Sequence, residues 1–193
     1  MSHIFKAVLT TGAVLFSSAV FAQQTNGVSS DLSLGEDTGG ELQIGQTYFK
    51  DDIGDWRLRC IKTEQEEDPC QLYQLLNDDA GNSVAEISIF RLEGEGEAVA
   101  GATIITPLET LLTAQISLAV DGANSRRYPF SFCNQIGCFA RLGLRQADVE
   151  AFKRGAEATV TMVPVGAPDT PVALPVSLTG FTAGFDVITL APR

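Results

Sequence analysis

From Tyr48 to Leu178, apolar side chains recur mainly at every second position, the spacing that places them on one face of a pleated strand. Trp56, Leu58 and Cys60 alternate with Arg57 and Arg59, which predicts a half-buried strand, and Cys70 to Leu76 reads as its neighbour. Asn77-Asp78-Asp79-Ala80-Gly81-Asn82 then has the chemistry of a turn, because Asn, Asp and Gly tolerate positive φ. Ala85, Ile87 and Ile89 predict a third strand, and a loop at Gly94–Glu97 separates it from Val99–Thr106, which stops at Pro107. Further on, Ile116, Leu118 and Val120 alternate up to Asp121-Gly122. Tyr128, Phe130 and Phe132 predict one strand, Cys138, Ala140 and Leu142 another, and Val160–Val165 and Leu174–Leu178 the last two.

One stretch departs from this period. Gln146 to Arg154 carries Val149 and Phe152 at helical spacing and meets Gly155, so it predicts a short amphipathic helix. The closing Gly180–Phe185 is compatible with a second helical turn or a strand. About eight to ten short strands with frequent turns predict an antiparallel sandwich or barrel. Residues 23–47 are rich in Gly, Ser, Thr, Gln and acids and read as a flexible acidic leader, with a short β addition around Leu42 and Ile44. The folded domain is expected over residues 48–193.

The first 22 residues have the parts of an export signal: Lys6, the uncharged run Ala7 to Phe16, and Val20-Phe21-Ala22 at a cleavage site. The apolar part is short for a bilayer span, and no later run is long enough, so no transmembrane segment is expected after cleavage. The sequence therefore points to the periplasm, the outer surface or secretion. Loss of Lys6 takes the net charge from −11 to −12, which disfavours nucleic acid and anionic membrane as partners. The adjacent basic pairs Arg126-Arg127 and Lys153-Arg154 read as solvated surface. The single histidine, His3, lies in the signal, so Ser-His-Asp and Cys-His chemistry and imidazole-dependent zinc sites are excluded from the processed protein.

Four cysteines in an exported chain predict two disulfides. Of the three pairings, Cys60 with Cys70 and Cys133 with Cys138 is favoured, because each pair flanks a short loop. Neither spacing is the C-x-x-C of exchange catalysts, so both read as structural rather than redox-active. Carboxylates are plentiful but unpatterned. The runs Glu64–Asp68 and Asn77–Asp79 lack the alternating ligand spacing of a calcium loop. Asp55, Glu86, Asp121 and Asp186 could supply an acid pair for glycoside hydrolysis, yet no spacing selects two of them. No phosphate loop or nucleophile elbow is present. No catalytic residue, metal ligand or cofactor is assigned.

Several segments in order resemble the invasion-associated locus B family. Gly54-Asp55-Trp56 leading to Cys60, then Cys70-Gln71-Leu72-Tyr73-Gln74, is similar to its opening. Pro107-Leu108-Glu109-Thr110-Leu111-Leu112 resembles a Pro-Leu-Gly-x-x-Leu element, with Glu109 in place of Gly. Val120-Asp121-Gly122, Cys133 with Gly137-Cys138, Lys153-Arg154-Gly155 and Ser177 to Ala183 complete the match. The resemblance implies an immunoglobulin-like β-sandwich with both local disulfides, in an exported alphaproteobacterial protein, and it carries over no catalytic residue. The expected function is a non-enzymatic envelope or host interaction module whose partner is another protein. The alternative is a periplasmic small-ligand binder or carboxylate-based hydrolase.

Overall fold

The computed structural model describes residues 40–191. The expected signal 1–22 and the leader up to residue 39 lie outside the described residues. Twelve strands and two helices follow in order. The strands are β1 (Thr47–Ile53), β2 (Trp56–Ile61), β3 (Cys70–Asn77), β4 (Ser83–Leu92), β5 (Ala98–Thr106), β6 (Ile116–Val120), β7 (Ala123–Tyr128), β8 (Phe130–Cys133), β9 (Cys138–Arg145), β10 (Glu157–Met162), β11 (Val172–Ser177) and β12 (Leu190–Ala191). Helix α1 (Gln146–Arg154) follows β9, and α2 (Phe181–Val187) precedes β12.

The large sheet runs β1-β2-β3-β4-β5-β9-β8, with β12 added parallel to β4, and the small sheet runs β11-β10-β6-β7. The other pairs are antiparallel. Alternation decides which faces meet. Strand β2 buries Trp56, Leu58 and Cys60, and β9 buries Cys138, Ala140, Leu142 and Leu144. All of these but Cys138 share one core with Ile116 and Leu118 of β6, Val160 of β10 and Leu174 and Val176 of β11. Each fully buried Leu, Ile, Val or Phe contributes about 1.5–3 kcal/mol. The protein is thus a mainly β, antiparallel, immunoglobulin-like sandwich with two short helices and two disulfides.

A polar bridge ties the sheets together. The buried Gln74 on β3 donates through Nε2 to the carbonyls of Asp55 and Ser177, at 3.1 Å each, and its Oε1 accepts the Ser177 N–H at 2.8 Å. Leaving such buried groups unpaired would cost about 1–3 kcal/mol.

Helix α1 spans the predicted residues, with Val149 and Phe152 buried. Asp148 accepts the Arg145 N–H at 2.9 Å and places an anion at the helix start, where the backbone dipole favours it. Gly155 ends the helix in extended backbone (φ −74°), so its value is closeness: a Cβ there would lie 2.6 Å from Val120. The closing segment is helical, and it is anchored by the buried Phe181, whose ring meets those of Trp56 and Phe152 at 5.7 and 5.1 Å. Gly54 (φ 63°) and Gly180 (φ 86°) sit against each other's backbone, leaving room for no Cβ at either position.

Three expectations need correction. Tyr128, Phe130 and Phe132 do not form one strand: Pro129 divides them, β7 belonging to the small sheet and β8 to the large one. The strand expected at Val160–Val165 runs from Glu157 to Met162, and Pro164, which has no N–H to donate, lies in the loop beyond it. No strand forms around Leu42 and Ile44. A turn there is held by the Gly45 N–H on the Lys62 carbonyl at 2.7 Å, and both side chains are exposed. The strand total exceeds the expected range because β1, β7 and β12 carry little apolar alternation. Among the described residues, no helix is long and apolar enough to cross a membrane.

Candidate interaction surface

Three loops gather where β5 ends and β9 begins. The register places Thr106 opposite Cys138, and Gly137 lies so close to the Thr106 carbonyl that no Cβ would fit. Past Thr106, Pro107 opens a turn. The Thr110 N–H and hydroxyl both donate to the Pro107 carbonyl, at 3.2 and 2.7 Å. The Leu111 N–H bonds the Val163 carbonyl and the Val165 N–H bonds the Glu109 carbonyl, so the β5–β6 loop is stitched to the β10–β11 loop. Glu109 stands in this turn without needing positive φ, so the missing Gly leaves the backbone undisturbed.

The third loop is the β8–β9 hairpin, closed by the Cys133–Cys138 disulfide. Inside it the Asn134 N–H bonds the Gly137 carbonyl at 2.9 Å, and the Asn134 Oδ1 accepts the Ile136 N–H at 2.8 Å. The N–H groups of Thr110, Leu111, Asn134, Ile136 and Val165 are therefore used internally, while Leu108, Leu112, Ile136 and Val165 stand in water with 57, 43, 76 and 56 % of their surface exposed. Exposed apolar groups held on a rigid frame are the usual form of a protein-docking surface.

The other stapled hairpin, β2–β3, closed by Cys60–Cys70, is polar. Of its acidic run only Asp68 turns inward. It accepts the Thr63 N–H at 2.8 Å and the Tyr48 hydroxyl at 2.8 Å, and pairs with Lys62 at 3.3 Å. These donors, the Thr63 N–H first and the Tyr48 hydroxyl next, hold its carboxyl at about 2, and the same bond to Asp68 pushes the Tyr48 phenol up. Glu64, Glu66 and Glu67 are exposed. In the next turn Asp78 accepts from Asn82 and the Ala80 N–H, which lowers its pKa. No group of three or more His, Cys, Asp or Glu among the described residues is placed to hold a metal ion.

A cleft of about 640 Å³ opens between the β6–β7 hairpin and α1, over a floor that includes Leu118, Val120, Leu144 and Phe152. The structure brings one residue of each basic pair, Arg126 and Arg154, to this cleft. Both are engaged, Arg126 with Asp148 at 3.3 Å and Arg154 with Glu150 at 3.4 Å. Burial pushes the Tyr128 phenol beside them up, helped by the Asp148 charge. The four carboxylates considered for hydrolysis are dispersed. Asp121 lines this cleft and accepts the Ala156 and Glu157 N–H groups. Asp55 lines a second hollow of about 430 Å³ and accepts the Ser177 hydroxyl at 2.6 Å. Glu86 bonds Tyr73 and Arg59, and Asp186 pairs with Lys153.

A Trp-led strand into a stapled hairpin, a docked Pro-Leu loop, a second staple and a closing helix follow one another along the chain. The model of the family described as invasion associated locus B (IalB) protein matches residues 56–189. The chain belongs to this family. It is similar to the invasion protein B homologs of Brucella abortus strain 2308 and of Brucella abortus biovar 1 strain 9-941. Each is 29 % identical over 154 residues, covering 78 % of this chain and 82 % of the relative. In fold it resembles the crystal structure of invasion associated protein B from Bartonella henselae, with a TM-score of 0.57 at 22 % identity, over 72 % of this chain and 90 % of that one. The family span takes in the loop end from Leu108 to Val165 and both disulfides.

Reading the sequence did not single out the loop end. Leu108, Ile136 and Val165 each stand beside Pro or Gly, which marks loops but gives no measure of exposure.

Proposed function

We propose that this family member is a non-enzymatic, extracytoplasmic interaction module that docks on another protein through the Leu108, Leu112, Ile136 and Val165 end. The carrying observation is the contrast at that end: four exposed apolar side chains on loops that are tied to one another and to themselves by backbone hydrogen bonds. The export-like start of the chain and the two disulfides support a site of action in the periplasm or at the outer surface, where such bonds persist. The word invasion in the names of the relatives adds host proteins to the envelope proteins as candidates.

The test is capture of envelope or host-membrane proteins by the wild type and by a Leu108→Asp/Ile136→Asp variant. The expected result is a discrete partner held by the wild type and lost by the variant, with an unchanged melting temperature. Full retention by the variant contradicts the reading. A second reading, a small-ligand binder, is supported by the cleft beside α1. It predicts a co-purifying small molecule that an Ala147→Trp variant, which fills the cleft from its exposed side, no longer carries.

A further inference from the structure

The outward face of the large sheet is chemically unlike the rest of the chain. Pairing registers align one row across five strands: Arg57 on β2, Tyr73 on β3, Ser88 on β4, Thr103 on β5 and Arg141 on β9. Arg59 lies two residues from Arg57 on the same face and reaches Ser88 at 2.7 Å. Arginine and aromatic groups interleave here: Arg57 lies over Phe49 at 3.4 Å, Arg59 over Tyr73 at 4.5 Å and Arg141 beside Phe132 at 5.4 Å. Between the outer arginines stand Tyr73, Ser88 and Thr103. Gly143 pairs with Gly101, and the tip of the Phe90 ring occupies the place that a Cβ on Gly101 would need.

The charge balance of this face runs against that of the molecule. The chain carries −11 overall, yet among the described residues Arg57, Arg59 and Arg141 meet only two carboxylates: Asp52, bonded to Arg57 at 3.2 Å, and Glu86, near Arg59 at 3.5 Å. Arg141 has no carboxylate partner among the described residues. Arg57 bonds Asp52 through Nε alone and keeps its two terminal nitrogens for a carboxylate, as Arg141 does, whereas Arg59 commits its terminal nitrogens to Glu86 and Ser88. The outer arginines of the row are four strand spacings apart, about 19 Å.

We propose that this face binds an acidic polypeptide segment, which lays carboxylates on Arg141 and Arg57 while its apolar side chains rest on Thr103 and the Phe90 ring between. An extended segment crossing the strands would span the two ends with carboxylates about six residues apart. The surface is separate from the loop end, so either can fail without the other.

The test uses the purified protein and a fluorescent peptide with two Glu-Glu pairs separated by five apolar or small residues, read by anisotropy at low and at physiological salt. The rest of the protein repels such a probe, so binding reports a local site. The expected result is binding that weakens with salt and drops at least tenfold in Arg141→Glu, a variant that breaks no ion pair. Arg127→Gln, on β7 of the other sheet, leaves it unchanged, as does Ile136→Asp. No binding, equal loss in Arg127→Gln, or full binding by Arg141→Glu overturns the proposal. So does tighter, Arg141-dependent binding of heparin or of phosphatidylglycerol vesicles, which would assign the face to a polysaccharide or a lipid.

Discussion

The two disulfides close hairpins at opposite ends of the large sheet, and the hairpins are finished in opposite ways. Cys60–Cys70 spans ten residues of separation, is buried at both cysteines, and closes a loop whose one inward carboxylate gathers Thr63, Tyr48 and Lys62. Cys133–Cys138 spans five, exposes Cys133, and holds up an isoleucine that touches little else. The first hairpin spends its side chains on its own order. The second takes its order from a covalent bond and the Asn134 turn, which leaves Ile136 free to face a partner. One covalent device can thus serve stability at one end of a sandwich and presentation at the other.

The comparison is most strongly tested by removing each bond. Cys60→Ala/Cys70→Ala is expected to cost about 3 kcal/mol in urea unfolding, and Cys133→Ala/Cys138→Ala about 2 kcal/mol, since the shorter loop restricts the unfolded chain less. Partner capture should follow the reverse order, with the second double variant losing more of it. Equal losses of binding would erase the distinction.

Acid should separate the ends next. The Asp68 pKa is depressed to about 2, so the stability it supplies is full above the unfolded carboxylate range and fades as pH falls from about 4 toward about 2. Melting temperatures across that window should fall less steeply in Asp68→Asn than in the wild type. A variant with the wild-type slope would remove Asp68 from the account.

The smallest effect is expected from Ile136→Asp. Its stability should stay within about 0.5 kcal/mol of wild type, as for surface positions generally, because the side chain leaves little packing behind. A larger loss, measured by the same urea titration, would mean that Ile136 is a packing residue and not a presented one.

Much of the sandwich was legible in the alternation of apolar residues, because a half-buried strand writes its burial into every second position, as Trp56, Leu58 and Cys60 do. The helix at Gln146–Arg154 was equally plain, since Val149 and Phe152 fit only a helical period. What escaped was of three kinds. Strand β7, Ala-Asn-Ser-Arg-Arg-Tyr, is held by its backbone ladder to β6 with almost no buried side chains, so it left no pattern to read. The switch of sheets at Pro129 was hidden because Tyr128 and Phe130 both face the core from different sheets and so keep the alternation intact. The loop end was invisible for a third reason: exposure of Leu108 or Ile136 depends on which loops dock beside it, and that is fixed by hydrogen bonds between Glu109, Leu111, Val163 and Val165 across the chain.

The central claim, that the apolar loop end and not the acidic one meets the partner, is tested most directly by photo-crosslinking in living cells. A photoreactive phenylalanine analogue would be placed at Ile136 in one strain and at Glu66, in the opposite stapled loop, in another. The account predicts a discrete protein adduct from position 136 and none from position 66. An adduct from position 66 with none from 136 would contradict it.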